Sequence, residues 1–257
     1  MFLEVKDLNI SLASGEPVVK NISFQLGKGE MLSIVGSSGA GKTTICKAVM
    51  GLLGNTYRAD GEVLYQGREL LTLPERERRM VYGKDICLIM QNPMTAFNPS
   101  IRMGRQLEKT YLLHHGKVSR QEMARMFSNL LQRLGMEDAE RILNSYPFTL
   151  SGGMLQRLMI AAALMSQPAL LVADEATTAI DACNRIGLMR ELKSFCREGM
   201  AVLFVTHDLR SASVSDRILV MNHGQVVEQG KAEQILNEPK EDYTEYLLSA
   251  CLLKRRE

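Results

Sequence analysis

The 257 residues are 46% hydrophobic and 23% charged with a net charge of +2, the composition of a folded chain able to bury a substantial core. That balance excludes a disordered or collagen-like polypeptide and leaves no electrostatic footprint for nucleic acid. Cys46, Cys87, Cys183, Cys196 and Cys251 are odd in number and never spaced C-x-x-C, so they read as idle thiols of a reducing compartment.

In chain order, the opening MFLEVKDL lacks the basic and apolar regions of a signal peptide. Leu3–Val5, Val18–Leu26 and Glu62–Tyr65 alternate polar and apolar residues, as half-buried antiparallel strands do. Met31–Val35 is a short apolar run stopped by Gly36, and a helical stretch follows from Lys42 to about Leu53. From about Asn92 to Gln167 the spacing is helical, over Arg102–His114, Arg120–Leu134 and Gly152–Met165. Leu170–Ala173 and Val202–Val205 are continuous apolar runs, as in parallel strands buried on both faces, with a helix over Arg185–Arg197 between them. Ile218–Met221 and Val226–Glu228 predict a closing hairpin. The expected architecture is one α/β domain: residues 1–91 and 168–257 form the core with its antiparallel part, and 92–167 a helical insertion.

Several features point to bland roles. His114–His115 reads as a loop pair, because adjacent residues cannot share a helix face and no third ligand is suitably spaced. Met154, Met159 and Met165 read as adaptable packing, and Lys254–Arg256 as a solvated tail. The longest apolar run, Leu158–Met165, falls far short of the ~18–20 residues of a spanning helix. A soluble protein is expected, with any membrane role borrowed from partners.

The chemistry begins at Gly36-Ser37-Ser38-Gly39-Ala40-Gly41-Lys42-Thr43, a full G-x-x-x-x-G-K-[ST] match between strand and helix. Its glycines let backbone amides, continuing to Thr44, curl around phosphate oxygens at a helix N-terminus. Lys42 should reach the β- and γ-phosphates of ATP, and the Thr43 hydroxyl should ligate Mg²⁺. Asp174 and Glu175 follow the apolar run at 170–173. A carboxylate there suits Mg²⁺ binding by Asp174, and Glu175 suits orientation or deprotonation of the attacking water. His207, just past Ala201–Thr206, suits a hydrogen bond to the γ-phosphate. Ser151-Gly152-Gly153-Met154 opens a second helix whose capped, Cβ-poor terminus is another phosphate cradle. One chain hardly needs two such sites, so the natural use of the second is another molecule's ATP.

In this order, the P-loop, Gln91 after an apolar strand, Leu150–Gly153 (LSGG), Asp174–Glu175, Asp181 and His207 resemble the motif set of ABC-transporter nucleotide-binding domains. The resemblance covers essentially the whole chain. It implies a P-loop NTPase core of RecA-like type with an antiparallel β subdomain and an inserted α-helical subdomain. It further implies two subunits, identical or homologous, that sandwich two ATPs head to tail, each site using Gly36–Thr43 of one chain and Ser151–Gly153 of the other. By the same resemblance, Gln91 senses Mg²⁺ and moves with the transmembrane partner, and Asp181 makes the contact across the dimer. Two permease subunits, an extracytoplasmic substrate-binding protein and a peripheral place on the cytoplasmic face of the membrane are implied as well.

Met90–Pro99 (MQNPMTAFNP), Tyr146–Thr149, and Pro239 with Tyr243-Thr244 and Leu247-Leu248 are similar to the peptide/nickel/opine importer branch. The stop at Glu257 is expected of the shorter nickel or metallophore importers, with oligopeptide or dipeptide import as the alternative. A soluble ABC-type ATPase acting on nucleic acid or ribosomes is the alternative of another class. Departures from the family pattern are Leu12 in place of an adenine-stacking aromatic, Met154 in place of Gln, Ala176 in place of Pro and Ile180 in place of Leu. None removes a catalytic group.

Overall fold

The computed structural model describes residues 2–116, 118–177, 180 and 182–253. Strands β1 (Leu3–Leu12), β2 (Pro17–Leu26), β4 (Tyr57–Tyr65) and β5 (Arg68–Glu69) form an antiparallel sheet in the order β2-β1-β4-β5. In β2, Ile22, Phe24 and Leu26 turn inward while Asn21, Ser23 and Gln25 face solvent, the alternation of a sheet with one buried face. These strands outrun the alternating patches of the sequence. Ladder hydrogen bonds engage the backbone whatever side chain it carries.

The second sheet holds β3 (Met31–Gly36), β6 (Ile86–Ile89), β7 (Leu170–Asp174), β8 (Ala201–Thr206), β9 (Arg217–Asn222) and β10 (Gln225–Lys231). Its order is β10-β9-β3-β8-β7-β6, parallel except for the edge strand β10. Every residue of β3 and β8 is buried, and alternate residues enter different cores. Leu203 and Val205 pack with Leu8, Ile22 and Ile45 beneath the antiparallel sheet. Val202 and Phe204 pack on the opposite face with Leu107, Phe127, Leu158 and Leu192. A strand read by two cores has no polar face to show, hence the unbroken apolar run.

Helix α1 (Lys42–Val49) follows β3, and α2 (Glu75–Val81) precedes β6. Between β6 and β7 come α3 (Met103–His115), α4 (Arg120–Arg133), α5 (Ala139–Asn144) and α6 (Gly152–Met165). Helices α7 (Ala182–Arg197), α8 (Leu209–Ala212), α9 (Ala232–Asn237) and α10 (Asp242–Leu253) complete the described chain. Arg133, closing α4, fastens the helical segment to α7. Its Nε donates to Glu191 at 2.6 Å, its Nη2 to Glu198 at 2.8 Å, and its guanidinium lies 3.8 Å above the Phe195 ring. Among the described residues no helix is long and apolar enough to cross a membrane.

Four corrections to the sequence reading follow. Helix α1 ends at Val49 rather than near Leu53, because Gly51 turns the chain at φ +60 against the Tyr82 ring. Helix α7 starts at Ala182 rather than Arg185. His114 and His115 are not a loop pair but the last turn of α3. His115 stacks on Tyr111 at 4.5 Å, and its Nε2 hydrogen-bonds the Met165 carbonyl at 2.6 Å, tying α3 to the end of α6. Finally, α2, α5, α8 and α9 span seven residues or fewer, too short for a helical period to register.

Phe204 is fully buried at the centre of the six-stranded sheet. Phe204→Ala should destabilise the chain by about 3–5 kcal/mol, read as a lower urea midpoint in equilibrium unfolding.

Candidate functional site

Gly36, the last residue of β3, lies against the Met221 carbonyl of β9, where a Cβ would come within 2.2 Å of the oxygen. No larger residue fits. The loop then turns at Gly39 and Gly41, whose φ values of +81 and +91 are open to glycine without strain. Gly41 is the N-cap of α1 and offers no side-chain cap, so the first amides of α1 have no side-chain acceptor there. Ser37, Ser38 and Gly39 are exposed, whereas Ala40 and Thr44 are buried beneath the loop.

Lys42 is only 5% exposed, and its Nζ donates to the carbonyls of Gly36 at 2.8 Å and Ser37 at 2.7 Å. Burial pushes its pKa down, and the charges of Glu175 and Asp174 partly oppose this. A desolvated ammonium held by two carbonyls beside an uncapped helix N-terminus is a demand for anionic oxygen.

The neighbouring strands deliver the remaining groups. Thr43 Oγ1 donates to Asp174 Oδ1 at 3.2 Å. Burial and then the adjacent Glu175 raise the Asp174 carboxyl above its ordinary value, against the Thr43 hydrogen bond and Lys42. Glu175 leaves β7 with a left-handed φ of 49, its N–H held by the Val205 carbonyl at 2.9 Å. That conformation is costly for a non-glycine residue and turns the side chain out of the strand direction. Both carboxylate oxygens are engaged: Gln91 Nε2 donates to one at 2.6 Å, and His207 Nδ1 lies 3.2 Å from the other. Lys42, Thr43, Gln91, Glu175 and His207 line one cleft of about 580 Å³.

Ser151, Gly152, Gly153 and Met154 are elsewhere. Ser151 Oγ accepts the Met154 N–H at 3.3 Å and caps α6, and the four line a separate depression of about 680 Å³ with Arg141, Arg157 and Ile180. No lining residue is shared between the two hollows. Asp181 lies outside the described residues.

Other residues at the site carried no sequence signal of their own. Val18 lines the cleft because its carbonyl crosses Gly41. Asp208, next to His207, binds Arg185 Nη1 at 2.8 Å and Ser211 Oγ at 2.9 Å, and its other oxygen takes the Arg210 N–H at 3.1 Å. It thereby fixes the turn that presents His207. Leu12, at the end of β1, faces Tyr57 of β4 across the ladder.

Comparison with known proteins bears on this geometry. The sequence profile of the ABC transporter family matches residues 19–178. The chain belongs to the ABC transporter family. The ABC subunit is 40% identical over 250 residues to the metal-staphylopine import system ATP-binding protein CntD of Staphylococcus aureus, covering 96% of this chain and 92% of the relative. It is also 40% identical over 255 residues to the oligopeptide transport ATP-binding protein OppD of Bacillus subtilis, covering 96% and 71%. Among solved structures, a dimeric ATP-binding cassette in a post-hydrolysis state with ADP and phosphate superposes with a TM-score of 0.79 at 28% identity, covering 90% of this chain and 99% of that one. An ATP-binding subunit of an ABC transporter superposes with a TM-score of 0.76 at 26% identity, covering 98% and 100%. This cassette is accordingly an ATP-hydrolysing transporter subunit of α/β ABC-ATPase fold.

The Asp208 carboxyl is opposed by burial, yet the donors Ser211, Arg185 and the Arg210 amide hold it below its ordinary 3.8. A depressed folded value gives stability that is complete above 3.8 and lost as pH falls through the folded value. Asp208→Asn should therefore lower the thermal midpoint at pH 7 and much less near pH 3. Equal losses at both would show that charge is not what the site uses.

Proposed function

We propose that this chain couples MgATP hydrolysis, at a head-to-tail pair of ABC cassettes, to uptake of metal chelates through two partner permeases. The observation that carries it is the separation of the two half-sites. The cleft around Lys42 has the ammonium, the uncapped start of α1 and a doubly held carboxylate, while the Ser151–Gly153 terminus faces a different hollow of the same chain. Each half needs its complement from another molecule, and one solved relative is a dimer with ADP and phosphate.

In this reading Gly36–Thr44 hold the ATP phosphates, with Lys42 between the β- and γ-phosphates. Glu175 accepts a proton from the attacking water or orients it. His207 and Gln91 hold the carboxylate in place, and His207 reaches the γ-phosphate. Thr43 Oγ1 and Asp174 Oδ1 lie 3.2 Å apart and, with the Gln91 side-chain carbonyl, are hard oxygen donors, a donor set that fits Mg²⁺. Bound there, Mg²⁺ would neutralise charge developing on the phosphate oxygens. Ser151, Gly152, Gly153 and Met154 of a second cassette would cap the same γ-phosphate through backbone amides, and Asp181 would contact across the dimer. ATP drives the cycle as a ligand that binds the closed pair better than the open one. The cassette would sit peripherally on the cytoplasmic face of the membrane, served from the other side by a substrate-binding protein.

The cargo reading follows the metal-staphylopine relative, and the oligopeptide relative at the same identity supports peptide import as the second reading. Uptake of nickel, of metal chelates and of peptides in cells lacking this chain separates the two.

Glu175→Gln should lower turnover about 100-fold or more and leave ATP bound in a closed pair, measured on the assembled transporter. Normal turnover would remove Glu175 from its role. Cysteines replacing Ser38 and Gly152 should crosslink between copies, or to a sister cassette, when nucleotide is trapped. Failure to do so would remove the head-to-tail pair.

A further inference from the structure

We propose that Tyr243, in the first turn of α10, is a positioning residue for the nucleotide loop. Its phenolic oxygen accepts the Ser37 N–H at 3.1 Å. That N–H belongs to the peptide group joining Gly36 to Ser37, and the carbonyl of the same group accepts from Lys42 Nζ at 2.8 Å. A trans peptide points its N–H and C=O in opposite directions from one rigid plane. Tyr243 and Lys42 thus grip opposite ends of one planar unit, and each bond polarises the group for the other. Rotation of this peptide would swing the carbonyl away from the ammonium. Tyr243 fixes the rotation and, through it, the place of Lys42.

The tyrosine is itself placed by two independent supports. Its side chain packs against the buried cluster that includes Val35, Leu209, Ile218 and Ile235, and its ring lies 6.4 Å from the Tyr246 ring. Glu228 of β10 clamps the chain just ahead of α10, its two oxygens accepting the N–H groups of Lys240 at 3.0 Å and Glu241 at 3.3 Å. The edge strand therefore sets the helix, the helix sets the phenol, and the phenol sets the loop. Ordinary packing of a closing helix would need neither the hydroxyl nor the clamp.

The inference rests on the phosphate-cradle reading of Gly36–Thr43, and the experiment separates the two. Tyr243→Phe keeps the ring and deletes the hydroxyl. In the purified full chain, titrated with ATP and with ADP, it should weaken binding about five-fold, the size of one lost hydrogen bond. The nucleotide-free thermal midpoint should stay unchanged, and in the assembled transporter the loss should fall on KM rather than kcat. Glu228→Gln should weaken binding less, and the double variant no more than Tyr243→Phe alone, because Glu228 acts through Tyr243. Wild-type affinity in Tyr243→Phe, additive losses in the double variant, or a loss confined to Tyr243→Leu would each overturn the proposal. Lys42→Ala is the control. If it abolishes binding while Tyr243→Phe binds normally, the tether alone is wrong; if Lys42→Ala binds normally, the cradle reading fails and the tether with it.

Discussion

A buried ammonium is the constraint around which this molecule is arranged. Lys42 is almost without solvent, and removing a cation from water costs several kcal/mol unless oxygen replaces the lost hydration. Two backbone carbonyls supply part of that coordination, and the carboxylates of Glu175 and Asp174, just past and at the end of β7, supply an attractive field. The glycines of the loop are required for the same reason. A Cβ on Gly36 would strike the neighbouring strand, and Gly41 must turn left-handed to start α1 over the ammonium.

The parallel sheet gathers the other groups. Its strand order β9-β3-β8-β7-β6 sets the ends of β3, β8, β7 and β6 side by side, and their register keeps those ends level. Val35 pairs with Thr206, Asp174 with Val205, and Ile89 with Ala173. Each strand thereby releases its polar residues at one edge, the usual place for ligands in an open α/β sheet. Glu175 lies between Gln91 and His207 because β7 lies between β6 and β8.

The same edge is mechanically connected to the rest of the chain. Gln91 opens the segment leading to the helical insertion, whose α4 is fastened to α7 by Arg133. His207 and Asp208 begin the turn into α8, which α10 packs against. Movement of either element would be felt at one carboxylate or one loop peptide. A site built on strand ends is rigid, and its hydrogen-bonding partners come from the segments that follow those strands and from α10.

By itself the sequence determined the chemistry of the phosphate-binding segments. Gly36–Thr43 between an apolar run and a helix, the carboxylates after 170–173, and the glycines after Ser151 are legible because loop chemistry depends on residue type at fixed short spacing. The buried strands and the helices α3, α4, α6 and α7 were legible because their periods repeat within a dozen residues, whereas α10, with apolar residues spread around it, was not. Only the tertiary structure decided which strand ends are neighbours, and hence that Gln91 and His207 take opposite oxygens of Glu175. It alone placed Ser151–Gly153 away from Lys42 in the same chain, and it alone brought Tyr243 to Ser37 across 206 positions. Such contacts arise from sheet order and packing over long separations, and no spacing within the sequence encodes them.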